Sequence, residues 1–141
     1  MTPLQALLEQ EVAALQAVLA TLQTERAALE ERSPDALLDA SNGKAEAVAR
    51  AARLEQERRE HVEANPGAQP AAVTGLLNEL KRLAAECRQQ NEANGLLIRG
   101  QRRRVEGSLN VLRGGRAAPD TYGRDGETRP ARGPKTPLAS Y

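Results

Sequence analysis

Between Ala71 and Arg113, small or apolar residues recur at alternating steps of four and three. The series is Val73, Leu77, Leu80, Ala84, Cys87, Asn91, Asn94, Ile98, Gln101, Val105, Ser108 and Leu112. Such alternation averages ~3.5 residues per repeat, near enough to the helical period to hold one helix face against a neighbour over many turns. At ~1.5 Å per residue the stretch makes a rod of roughly 65 Å. The chain before it is divided into shorter spans. Residues 71–98 therefore use up the length of those neighbours, and residues 99–113 are expected to project beyond them.

The preceding chain carries its own helix signals. Leu8, Leu15, Leu22 and Leu29 lie seven apart, with Val12 and Leu19 widening this spine on one side and Leu4 and Val18 on the other. Thr2-Pro3 and Ser33-Pro34-Asp35 each read as a hydroxyl cap followed by proline, the start signal of a helix. Helices are expected over about 4–31, 34–64 and 71–113. The second seam is poorer: Leu38, Ala45, Val48, Ala52 and Val62, with Ser41 and Glu55 interrupting it and Leu37 and Leu54 off-phase. Ser41-Asn42-Gly43 places a glycine mid-helix, where it costs ~1 kcal/mol relative to alanine, which leaves open whether the second helix is broken near Gly43. Asn65-Pro66-Gly67-Ala68-Gln69-Pro70 is a turn by composition.

Nothing reads as a β-strand, and the chain has neither Phe nor Trp, so its core must be an aliphatic seam. The fold class is all-α: an antiparallel three-helix bundle or coiled coil over residues 1–113, with an extended third helix. From Gly114 onward the sequence holds four prolines, five glycines and few aliphatic residues. Such a segment buries too little apolar surface to offset its ordering entropy, so residues 114–141 are expected to be a flexible, disordered tail.

Catalysis finds no foothold. The single His61 and single Cys87 fall on different helices and make no nucleophile–base pair, and one histidine cannot build a metal site. No cofactor or metal is expected. Asn42-Gly43-Lys44 lacks the earlier glycine and the strand of a phosphate loop. Glu55 with Arg58 and Arg59 reads as solvated pairing along one helix. Cys87, on the seam, is expected to pack as a small hydrophobe. No run is apolar enough for a signal sequence or a membrane span, so a cytoplasmic protein with no direct membrane insertion is expected.

Arg99, Arg102, Arg103 and Arg104 suggest nucleic acid through phosphate neutralisation. Three consecutive helical residues spread over ~200° rather than one stripe, however, and no aromatics interleave to stack bases. With a net charge of +1, nucleic acid is not expected as a partner. Residues 1–98 carry fifteen acidic and ten basic side chains, and residues 99–141 four and ten, so the two halves are suited to different partners.

The informative stretch is Asn91 to Leu112. Two asparagines occupy seam positions, where a buried amide can fix register. Leu96, Leu97 and Ile98 are consecutive, and one seam cannot use all three. Val105, Leu109, Val111 and Leu112 stay apolar past the expected end of the other helices. Gly95, Gly100 and Gly107 soften the helix and permit close approach by another backbone. An apolar, adaptable helix end suits capture of a partner helix. The same surface also suits a homodimeric coiled-coil scaffold or adaptor. Both tyrosines, Tyr122 and Tyr141, lie in the tail; Tyr122 is the candidate docking anchor.

The proline-marked three-helix plan, Asn91…Asn94-Gly95-Leu96-Leu97-Ile98, and Thr121-Tyr122-Gly123-Arg124-Asp125-Gly126 after Gly114-Gly115 together resemble the FlgN family of flagellar type III export chaperones. The resemblance implies a non-catalytic cytosolic protein that binds the C-terminal amphipathic helices of the hook-filament junction proteins FlgK and FlgL. It implies delivery of those subunits to the export apparatus. By the same resemblance the client-binding region is Asn94 to Leu112, within which Asn94, Leu97, Ile98, Gln101, Val105, Leu109 and Leu112 are the expected contacts, and Tyr122 corresponds to the tail tyrosine that docks on the export gate FlhA. The free protein is expected to be a monomer or a weak dimer. Arg102 to Arg104, Gly100 and Gly107, and the alanine-rich second helix depart from the family pattern.

Overall fold

The computed structural model describes residues 1–67 and 71–114. It consists of three helices: α1 (Pro3–Glu31), α2 (Pro34–Ala64) and α3 (Ala71–Leu112). The start signals act as their chemistry dictates. Thr2 Oγ1 accepts the Gln5 N–H at 3.1 Å, and Ser33 Oγ accepts the Ala36 N–H at 3.2 Å. Each satisfies a helix-start donor that has no partner within the helix. At the other end of α1, Arg32 takes the left-handed conformation at φ 56°. Its N–H donates to Leu29 O and the Ser33 N–H to Ala28 O, the double closure of a Schellman turn. The chain thus reverses within two residues, and α2 runs back along α1. Gly114, at φ 120°, follows the end of α3, within two residues of the expected boundary.

The middle of the bundle is α1, which lies along both α2 and α3, while those two touch each other little. Leu8, Leu15, Leu22 and Leu29 are almost wholly buried, as are Val73, Leu80 and Cys87 of α3. Each enclosed Leu or Val contributes roughly 1.5–3 kcal/mol of transfer free energy. The glycines of α3 each cost ~1 kcal/mol. The seam therefore outweighs its soft spots, and α3 runs without interruption.

A polar ladder fixes how α3 lies on α1. Cys87 Sγ, Asn94 Nδ2 and Gln101 Nε2 donate to the carbonyls of Leu15, Leu22 and Leu29 at 3.6, 2.9 and 2.7 Å, each pair 72 residues apart. A constant offset means that α1 and α3 are parallel, and it sets Glu31 level with Arg103. Only residues 104–112 therefore run past α1, fewer than helix lengths suggest. The reason is that α3 starts about one turn below the start of α1, so residues 99–103 still have α1 beside them.

The seam of α2 departs from expectation. Leu38 is 61% exposed and Ala45 is also exposed, whereas Ala40, Val48, Ala51 and the supposedly off-phase Leu54 are buried. Two charged residues occupy this seam and shift its phase. Arg58 forms a two-pronged pair with Glu11, and Lys44 Nζ reaches both oxygens of Glu25 at 2.9 and 3.2 Å. Neither is an ordinary pair along one helix. No break occurs at Gly43: α2 is continuous there, held to α1 by Ala40 on one side and Lys44 on the other.

Candidate functional site

Beyond the last polar rung, the end of α1 and the start of α2 face the projecting part of α3 across an open cleft of about 590 Å³. Its floor is Ala28, Leu29 and Leu37; Val105 and Leu109 form one wall, and Arg32 and Arg104 edge it. The Schellman turn makes the space. It diverts the chain into α2 at Arg32, so the seam of α3 continues with nothing of α1 to cover it. Val105 is 58% exposed and Leu109 42%, and Leu112 at the tip 80%. Apolar side chains left open in this way along a helix face make it a candidate contact surface.

The residues singled out in the sequence divide into two groups. Gln101, Val105 and Leu109 line the cleft, Leu112 extends the same edge, and Leu97 and Ile98 are half-buried below it. Asn94 is enclosed in the bundle. Its Nδ2 donates to Leu22 O and to Glu25 Oε1, both at 2.9 Å, while Asn91 Oδ1 accepts from Lys44 Nζ at 3.2 Å. Two acceptors on one side leave no choice about which way the Asn94 amide points, and its Oδ1 has no hydrogen-bond partner. Asn94 thus sets helix register rather than facing the cleft. Cys87 is fully buried, and desolvation, with the Glu86 charge beside it, pushes its thiol up to about 11. A thiol so protonated is inert packing.

Three cleft residues escape a reading based on apolar periodicity. Leu37 looks off-phase because it serves the cleft instead of the seam of α2. Arg32 and Arg104 are charged, and only the fold shows that they stand level at the end of α1. At Gly100 and Gly107 the space is open: among the described residues, no atom outside the local helix backbone lies within 4 Å of where a Cβ would stand. Among the described residues, no helix is long and apolar enough to cross a membrane. Tyr122 lies outside the described residues.

Compared with known protein families, residues 1–130 match the one described as FlgN protein. The chain belongs to the FlgN family. No curated relative and no solved structure matches it. FlgN proteins are chaperones and not enzymes, and membership implies a role in flagellar export. An open, uncharged-floored cleft at the end of a FlgN bundle is suited to that role, since holding an apolar segment requires shape and apolar area rather than reactive groups.

Proposed function

We propose that this FlgN-family chain works in the cytoplasm as an export chaperone whose cleft receives the C-terminal amphipathic helices of the hook-filament junction proteins FlgK and FlgL. The observation that carries the reading is the exposure of Val105 and Leu109 opposite Leu37, where α3 continues and α1 does not. A client helix laid there restores the missing neighbour, with Leu112 above and Leu97 and Ile98 below extending the contact. Gln101 stays bonded to Leu29 O and forms the base of the site. Tyr122, in the segment after the bundle, presents the loaded complex to the export gate FlhA.

The test is the double substitution Val105→Asp with Leu109→Asp. Both side chains face solvent in the free chain, so helicity and melting should hardly change. Two carboxylates forced into an apolar contact should weaken binding of FlgK and FlgL by roughly a hundredfold or more. Clients bound with unaltered affinity would show that the cleft is not their site. A homodimeric scaffold would bury the same residues, and light scattering on the free protein separates the two: a stable dimer sealed by Val105 and Leu109 leaves no place for a client.

A further inference from the structure

We infer that the helix received by the cleft continues the track of α1, in the same direction, and carries carboxylates in its first turn. The inference rests on the client-binding reading above and adds the chemistry and polarity of the occupant. Two observations support it. The first is the ladder. Cys87, Asn94 and Gln101, seven residues apart on α3, donate to successive leucine carbonyls of α1, and Ser108 is the next position in that series. Ser108 lies past the last residue of α1, is exposed and lines the cleft. Its hydroxyl stands ready to donate to the backbone of whatever takes over from α1.

The second observation is charge. Among the described residues, Arg32 and Arg104 are the charged residues lining the cleft, and no carboxylate does so. Neither forms an ion pair among the described residues. At the 72-residue offset they stand level, so both guanidinium groups meet the end of an incoming helix that abuts α1. Acidic residues belong at helix N-termini, where they complement the dipole, and an N-terminus set against the carbonyl end of α1 aligns the two dipoles. A second copy of this chain is the poorer occupant, because its own Arg104 would come to a face that already carries Arg32 and Arg104.

Two synthetic amphipathic peptides of about twenty residues provide the test, long enough for measurable helicity. They share one composition and one leucine heptad spine, and differ in placing two glutamates in the first or the last turn. Each is titrated by fluorescence anisotropy into the full-length wild type and an Arg32→Glu/Arg104→Glu variant. The wild type should prefer the first-turn peptide by roughly fivefold, as two part-exposed ion pairs allow, with the preference shrinking in added salt. In the variant the preference should vanish or reverse. A preference unchanged in the variant would reflect peptide helicity alone and overturns the inference. So do equal affinities in the wild type, preference for the last-turn peptide, binding of neither, or a free protein dimerised through this face. The Val105→Asp/Leu109→Asp test with FlgK and FlgL is read separately: clients lost there while the peptides show no charge preference would leave the site standing and remove the polarity.

Discussion

Lys44 is the side chain that ties all three helices together. It reaches the Glu25 carboxylate on α1 and the Asn91 side-chain oxygen on α3, while Asn94 Nδ2 donates to Glu25 Oε1, an oxygen that Lys44 also bonds. The Glu25 side chain is 3% exposed, so its charge is tolerable only with its partners in place. Removing one member of such a pair leaves a buried charge uncompensated, which costs about 3 kcal/mol, whereas exchanging both for apolar residues is close to neutral. Lys44→Met should therefore lower unfolding stability in urea by about that amount, and Glu25→Leu combined with Lys44→Met should recover it to within ~1 kcal/mol. A midpoint unmoved by Lys44→Met alone would mean that the joint contributes nothing. The asparagines were legible as residues able to set register, but the sequence left Asn94 equally open to a client contact, and only its burial between Leu22 and Glu25 decides for register. Their partners were not legible from apolar spacing, yet a signal was present. Glu11, Val18 and Glu25 are seven apart, as are Lys44, Ala51 and Arg58. Acids at one heptad spacing and bases at the same spacing on the next helix are what an antiparallel charged seam requires.

At the level of elements, the start signals and the third helix could be read directly, because caps and long-range periodicity are local chemistry. The seam of α2 could not, because reading it needed Lys44 and Arg58 to count as interior residues. Whether α2 breaks at Gly43 could not be read for a related reason: one glycine costs ~1 kcal/mol, and the outcome depends on the contacts with α1 that hold the helix on either side. The same arithmetic separates two glycines of α3. Both Gly100 and Gly107 have room for a Cβ, but Gly100 lies beside α1 and Gly107 beyond its end. Gly100→Ala should raise global stability by ~1 kcal/mol and move the melting midpoint upward. Gly107→Ala should leave the midpoint in place and slow amide exchange only in the projecting turns, since that segment opens without the bundle unfolding. If both substitutions shifted the midpoint alike, the projecting segment would be part of the cooperative core.

For the molecule as a whole, the proposed function places stability and client binding at different levels along its length. The apolar core, the polar ladder and both buried charge pairs lie at or below the level of Arg103, and the cleft wall lies above it. A chain ended at Arg103 keeps every one of those contacts and should melt within a few degrees of the full-length protein, yet it should not bind FlgK or FlgL. A chain ended at Gly114 keeps Val105, Leu109 and Leu112 and should bind both clients as the full-length protein does. It lacks Tyr122, so its loaded complex should reach FlhA poorly, and Tyr122→Ala in the full-length chain should show the same split between retained binding and reduced export. Equal client affinity for the chain ended at Arg103 would locate the site on the bundle's sides instead of its end. The division has a physical cause. A helix that outlasts its neighbour must either fray or find another, and α3 keeps its apolar series going for those extra turns, which is the feature the proposed client contact rests on.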